Sequence, residues 1–192
     1  MEPKELFGND YQEFIETDPF NPENRVEGFI SRKPNEYYGA LIITRVNGED
    51  IHPQLIMGTP KMHYPFGVSQ DDKRQYVFPR AGNVHIYEKL DGTNILAYRY
   101  YDKWQSYLTF KPRLRPFLVN GRFGPFFDMW KEIEQKNPLL LEEINRISLG
   151  LQLNLSFELY GARNMHLMKY DVPLDFALLF GGTNEGKIIP PF

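Results

Sequence analysis

Pairs of turn-forming residues cut the chain into short apolar runs, and that rhythm restricts it to folds built largely from antiparallel strands. Gly39–Val46 (GALIITRV) is closed by Asn47-Gly48, a pair that accepts positive φ at both positions and returns the chain as a hairpin into Ile51–Met57. Asn83–Glu88, Ile95–Tyr101 and Trp104–Phe110 follow as strand candidates rich in Val, Ile, Tyr, Leu and Phe, arranged as a meander. Leu151–Tyr160 places Leu151, Leu153, Leu155, Phe157 and Leu159 at every second position, the pattern of a strand with one buried face. Leu174–Phe180 is the last strand and runs into Gly181-Gly182.

Helical spacing is confined to a few places. Phe126, Phe127, Trp130 and Ile133 give Gly124–Lys136 an apolar helical face, most simply a core face. Asn137-Pro138 supplies a cap and a first-turn proline for a second helix through Ile147. Nearer the start, Tyr11, Phe14 and Ile15 have the spacing of one short amphipathic helix in a segment, 1–25, that is otherwise polar and rich in Pro and Asn. Thr59–Gly82 has no periodicity and reads as a long loop, a kind of segment that in compact domains tends to carry function. Together these elements predict an α+β fold.

With 192 residues, 42% of them hydrophobic, the chain can bury a sizeable core. It has no cysteine, which excludes disulfides, thiolate metal sites and a cysteine nucleophile and suits a reducing compartment. The start Met1-Glu-Pro-Lys has no apolar stretch, and no later run is long enough to span a bilayer. A cytoplasmic protein without membrane contact is therefore expected. The net charge of −3 rules out nucleic-acid binding by bulk positive charge, so any phosphate contact must come from local clustering. His52, His63, His85 and His166 are scattered without metal-ligand spacing, and no phosphate-cradling G-x-x-x-x-G-K-[ST] loop occurs.

Three stretches stand out against this background. In His85–Ile95 (HIYEKLDGTNI), Asp91-Gly92 is a tight-turn signal, while Lys89 just ahead of it stands where a strand end could aim an amine into a pocket. In Ser156–Gly161 (SFELYG), Glu158 interrupts an apolar strand. Burying a carboxylate costs several kcal/mol unless it is paired, so Glu158 either meets a cation or polar ligand, faces a cleft from a strand end, or forms a structural salt bridge. Between them, Phe110–Pro116 (FKPRLRP) gathers Lys111, Arg113 and Arg115, with Arg122 shortly after. Guanidinium forks fit phosphate oxygens, and a solvated basic loop is the plain alternative.

In this order, the three stretches resemble the covalent nucleotidyltransferase superfamily of ATP-dependent polynucleotide ligases and mRNA capping enzymes. Glu88-Lys89-Leu90-Asp91-Gly92-Thr93-Asn94 is similar to the family's nucleophile motif K-x-D-G, most closely in its RNA-ligase branch. Phe157–Gly161 is similar to its third motif, and Leu174–Phe180 to the strand that follows. The resemblance spans about Val84 to Phe180. It implies an ATP-grasp-like adenylation domain, with antiparallel sheets around a nucleotide cleft, and an activity: an ATP-dependent RNA ligase that forms a covalent lysyl-AMP and joins polynucleotide ends. A DNA ligase, a GTP-dependent capping enzyme and a non-catalytic nucleotide or nucleic-acid-binding module are the alternatives.

The resemblance also implies roles. Lys89 is the nucleophile, and Glu88, Asp91, Gly92 and Asn94 belong to the nucleotide site. Lys111 or Arg113 contacts phosphate, Glu158 contacts the ribose or the metal shell, and Phe176 stacks on the base. ATP with Mg2+, or Mn2+ in its place, and RNA or DNA ends are the implied ligands. Residues 1–82 would form an extension and the start of the adenylation domain, and 83–192 its core. The family's later E-G strand and K-x-K pair are not recognisable, so the chain is expected to be the amino-terminal part of a longer ligase. Glu185-Gly186-Lys187 reads as a turn.

Overall fold

The structure, a computed structural model, describes residues 1–61, 66–68, 74–76, 82, 84–164 and 166–191. It is an α+β fold with two main antiparallel sheets. A short helix α1 (Pro3–Phe7) leads into a sheet of four consecutive strands, β1 (Tyr11–Thr17), β2 (Arg25–Ser31), β3 (Leu41–Val46) and β4 (Glu49–Ile56), in the order β1-β2-β3-β4. The β3–β4 hairpin turns where the sequence predicts it: Asn47 and Gly48 have φ of 54° and 79°, the conformation a two-residue turn requires.

The expected helix around Tyr11, Phe14 and Ile15 is instead β1. It pairs along its whole length with β2, from Tyr11 opposite Ser31 to Thr17 opposite Arg25. In a strand Tyr11 and Phe14 face opposite ways. The Tyr11 ring accordingly packs edge-on against Phe29, 5.6 Å away, with α1 on the outer face, while Phe14 meets Phe117 on the inner face. A full ladder of backbone bonds outweighs a one-and-a-half-turn helical pattern that could not nucleate alone.

Most of the predicted Thr59–Gly82 loop lies outside the described residues. Within it, β5 (Phe66–Val68) and β6 (Arg74–Tyr76) pair with each other. The second large sheet comprises β7 (Thr93–Tyr101), β8 (Ser106–Pro112), β9 (Asn154–Tyr160), β10 (Asp175–Gly182) and β11 (Ile188–Ile189), in the order β11-β10-β9-β7-β8. Two helices, α2 (Phe126–Lys136) and α3 (Leu140–Leu151), cover one of its faces. Trp130 of α2 sits between Phe110 and Phe157, with Ile133, Ile144 and Leu155 around it. Asn137 closes α2 rather than opening α3, since its side-chain amide donates to the carbonyl of Ile133 (2.9 Å). The Thr183–Lys187 stretch is the turn the sequence suggests, with Gly186 at φ 85° between β10 and β11.

The expected strand Asn83–Glu88 is not formed. Asn83 lies outside the described residues, and 84–90 run as irregular, largely exposed chain. The reason is topological: β7 already has β8 on one edge and β9 on the other, so no edge remains for a preceding hairpin partner. Asp91-Gly92 is thus not a hairpin turn.

The other face of the five-stranded sheet is divided. Towards the β7–β8 hairpin, Tyr98, Tyr100 and Tyr107 are buried against Val26, Leu41 and Ile43 of the first sheet. A buried carboxylate, Asp18, seals this junction by accepting hydrogen bonds from Phe20 N–H (2.9 Å), Asn21 Nδ2 (2.7 Å), the Tyr100 hydroxyl (2.9 Å) and the Thr109 hydroxyl (2.7 Å). Four donors offset the cost of burying its charge. The remainder of the face, carrying Asn94, Ser156 and Glu158, holds the candidate site.

Candidate functional site

Strand parity decides which side chains share this face, because residues directly opposite in an antiparallel ladder point the same way. Asn94 lies opposite Glu158, and Glu158 opposite Ala177. Phe176 lies opposite Leu159 and points to the helical side, where its ring meets Phe157 (6.0 Å) and Trp130 (6.1 Å). The base-stacking role expected for Phe176 is therefore corrected: it is a core residue on the far side of the sheet from Glu158.

Lys111 is corrected too. It is wholly buried, and its ammonium donates to the carbonyls of Gly39 (2.9 Å), Pro112 (3.1 Å) and Arg113 (3.1 Å). All three protons are committed to backbone, leaving none for phosphate. Burial, with the charges of Arg32 and Arg113, lowers its pKa to about 7.

What the structure does bring together is the nucleophile-like stretch and the third-motif-like strand. The Gly92 N–H donates to Glu158 Oε1 at 2.9 Å, joining positions 66 residues apart. Only glycine permits this approach, since a Cβ at Gly92 would lie 2.1 Å from the carbonyl oxygen of Leu159. Asp91 is gripped from the other side. Its Oδ2 accepts the N–H groups of Leu167 (2.5 Å) and Met168 (2.9 Å), and its own N–H donates to the Tyr170 hydroxyl (2.6 Å). Those backbone donors hold the Asp91 carboxyl below its ordinary range. Lys89 and Glu88 stand exposed just before this clamp.

Asn94 is held within the sheet, donating to Ser156 Oγ (2.8 Å) and the Phe157 carbonyl (3.1 Å) and accepting from Thr59 Oγ1 (2.7 Å). It fastens β7 to β9 directly below Glu158. Arg113 is half-buried beneath the ring of Tyr38, with its guanidinium carbon 6.0 Å from the ring centre. Its Nε is buried without a hydrogen-bond acceptor.

Glu158 collects these influences. Burial pushes its carboxyl above the ordinary glutamate range, opposed by the Gly92 N–H and by the charges of Lys89, Arg113 and His166. No direct ion pair joins Glu158 to any of these cations among the described residues. Glu158 thus lies part-buried on the sheet face opposite the helices, with the cations around it spaced rather than paired. Sequence reasoning missed Tyr170, His166 and the 167–168 amides, which belong to an aperiodic segment with no motif to mark it. It also missed Asn164, whose amide donates to the Leu159 carbonyl (2.6 Å) and braces Thr93 (3.1 Å).

The raised Glu158 value carries a stability consequence. The folded state holds this proton to higher pH than the unfolded chain does, so stability falls as pH rises between the ordinary glutamate value and the raised one. The cost is absent below that interval and fully present above it. Glu158→Gln keeps an acceptor for Gly92 and removes the cost. Its melting temperature at neutral pH is expected to equal or exceed that of the wild type, with the two converging in acid. A sharp fall at neutral pH would make Glu158 a structural ion-pair residue.

No protein-family model and no curated protein matches this sequence. Among the described residues no helix is long and apolar enough to cross a membrane, and no three His, Asp or Glu side chains converge as a metal site.

Proposed function

We propose that the chain performs the nucleotide-activating chemistry of an ATP-dependent RNA ligase on a nucleotidyltransferase fold, with Lys89 as nucleophile. The observation that carries this reading is the hydrogen bond from Gly92 N–H to Glu158 Oε1. It joins two stretches that stand out by their residue chemistry and that, taken together, resemble the first and third motifs of one family.

The chemistry follows from what surrounds that contact. The Lys89 amine attacks the α-phosphorus of ATP. A nitrogen–phosphorus bond forms, the bond to the bridging oxygen breaks, pyrophosphate leaves with the electron pair, and the amine proton passes to solvent. Arg113, whose charge acts on Glu158, would complement a phosphate oxygen, and preorganised positive charge of this kind commonly contributes most to stabilising such transfers. Mg2+ typically takes one or two protein carboxylates and completes its shell with phosphate oxygens and water. Glu158 fits that donor set as a single carboxylate, and the metal would supply charge neutralisation at the phosphates. Asp91 and Gly92 act by position, since the clamp on Asp91 fixes where the chain carrying Lys89 begins. The adenylate would then pass to the 5′-phosphate of an RNA end, freeing the Lys89 amine, and the 3′-hydroxyl of the second end would attack that 5′-phosphorus and displace AMP.

Label transfer tests the reading. The chain is incubated with α-labelled ATP or GTP and Mg2+ or Mn2+ and then denatured. Label from ATP that resists alkali and is released by acid is the expected lysine phosphoramidate. Label from GTP alone would assign a capping-type enzyme, and no label from either would leave a binding module without turnover.

A further inference from the structure

One cavity of the described residues lies apart from Lys89, which is not among its lining residues. It is an open groove of about 760 Å3 between β1 and the 112–126 segment, lined among others by Ile15, Arg32, Arg115, Arg122, Phe123 and Phe126. Its two walls differ in character. On the β1 side Glu13 and Glu16 line it, with Arg115 acting on Glu16 through its charge. On the other side Arg115 and Arg122 are exposed and in no ion pair among the described residues. The Phe123 ring is 77% exposed, with the Arg122 guanidinium carbon 4.8 Å from its centre.

We propose that this groove holds a single-stranded nucleic acid, with its phosphates against Arg115 and Arg122 and a base stacked on Phe123. An aromatic platform beside free cations is the arrangement single strands use, because every base offers a π-face and every linkage a negative charge. The carboxylates on the β1 wall repel phosphate and confine the backbone to the opposite wall. Arg32 braces the groove, donating to the Leu114 carbonyl (3.0 Å) and to Gln12 Oε1 (2.6 Å). Continuity supports the assignment: Arg115 in the groove is two residues from Arg113, whose charge acts on Glu158. The choice of RNA rests on the ligase reading. The groove itself rests on charge and exposure.

The test is fluorescence anisotropy of a labelled single-stranded oligoribonucleotide with the full chain. Affinity is expected to fall as salt rises, and Arg122→Ala/Phe123→Ala, at exposed positions, to weaken binding roughly tenfold or more. Arg146→Ala, at an exposed arginine of α3 that does not line the groove, should bind as the wild type does. Equal affinity of the double variant and the wild type overturns the proposal. So does an oligonucleotide that fails to bind where an extended peptide, adding to the free edge of β1, succeeds. The two readings separate cleanly. RNA affinity that depends on Arg122 and Phe123 without ATP labelling keeps the groove and removes the ligase, whereas labelling with affinity indifferent to those residues does the reverse.

Discussion

Lys89→Ala is expected to abolish covalent nucleotide transfer outright, with the melting temperature unchanged. Lys89 is exposed in irregular chain, so its truncation removes no packing. Lys89→Arg should fail equally, because a guanidinium stays protonated and offers no lone pair. The loss should be complete rather than partial, since nucleophilic catalysis has no residual route once the attacking atom is gone and no other lysine occupies the stretch clamped to Glu158. Gel labelling with α-labelled ATP, beside a melting curve for each variant, measures both quantities. Undiminished labelling of either variant would remove Lys89 from the mechanism.

Lys111→Met is expected to have the largest effect on stability. The substitution keeps the length of the side chain but leaves the carbonyls of Gly39, Pro112 and Arg113 without their shared donor. At about 1–3 kcal/mol for each buried group left unsatisfied, the loss is about 3 kcal/mol or more. In a chain of this size that lowers the melting temperature by on the order of 6–12 °C.

A pH signature accompanies it. Because the folded-state pKa of Lys111 is lowered to about 7, the unfolded chain binds more protons above that value, and stability from this group rises with pH from about 7 towards the ordinary lysine range near 10.4. Lys111→Met should lose that rise. This is the opposite sense to the Glu158 contribution, so the two can be told apart in one pH series. A Lys111→Met protein as stable as the wild type would mean that the amine is free to serve a ligand after all.

Lys111 and Phe176 also mark where the sequence stops being informative. Both are residue types suited to a phosphate and a base. Lys111 is decided by the three backbone carbonyls that hold its ammonium, and Phe176 by strand parity, which depends on register: Phe176 opposite Leu159 faces the helices, whereas Ala177 opposite Glu158 faces the other way. A one-residue offset exchanges the two faces, and nothing local fixes it. The β3–β4 hairpin was legible because Asn47-Gly48 carries its own conformational requirement, and α2 because its aromatic spacing is long enough to be unambiguous. β1 was not, since its identity comes from pairing with β2, and 84–90 were not, since both edges of β7 were already taken.

The candidate site was half legible. Lys89, Asp91, Gly92 and Glu158 announce themselves by motif, and the structure brings the Asp91-Gly92 end of the first stretch onto Glu158. The groups that hold them, Tyr170 and the Leu167 and Met168 amides, have no sequence pattern because backbone donors carry none.

The central claim is that Lys89 becomes covalently adenylylated, and peptide mapping tests it most directly. The chain is incubated with ATP and Mg2+, digested at mild alkaline pH, and its peptides are read by mass spectrometry. The expected result is one adenylate on the peptide containing Lys89, missing from Lys89→Ala. An adenylate on any other residue, or none on a chain whose fold is confirmed by its melting transition, would contradict the account.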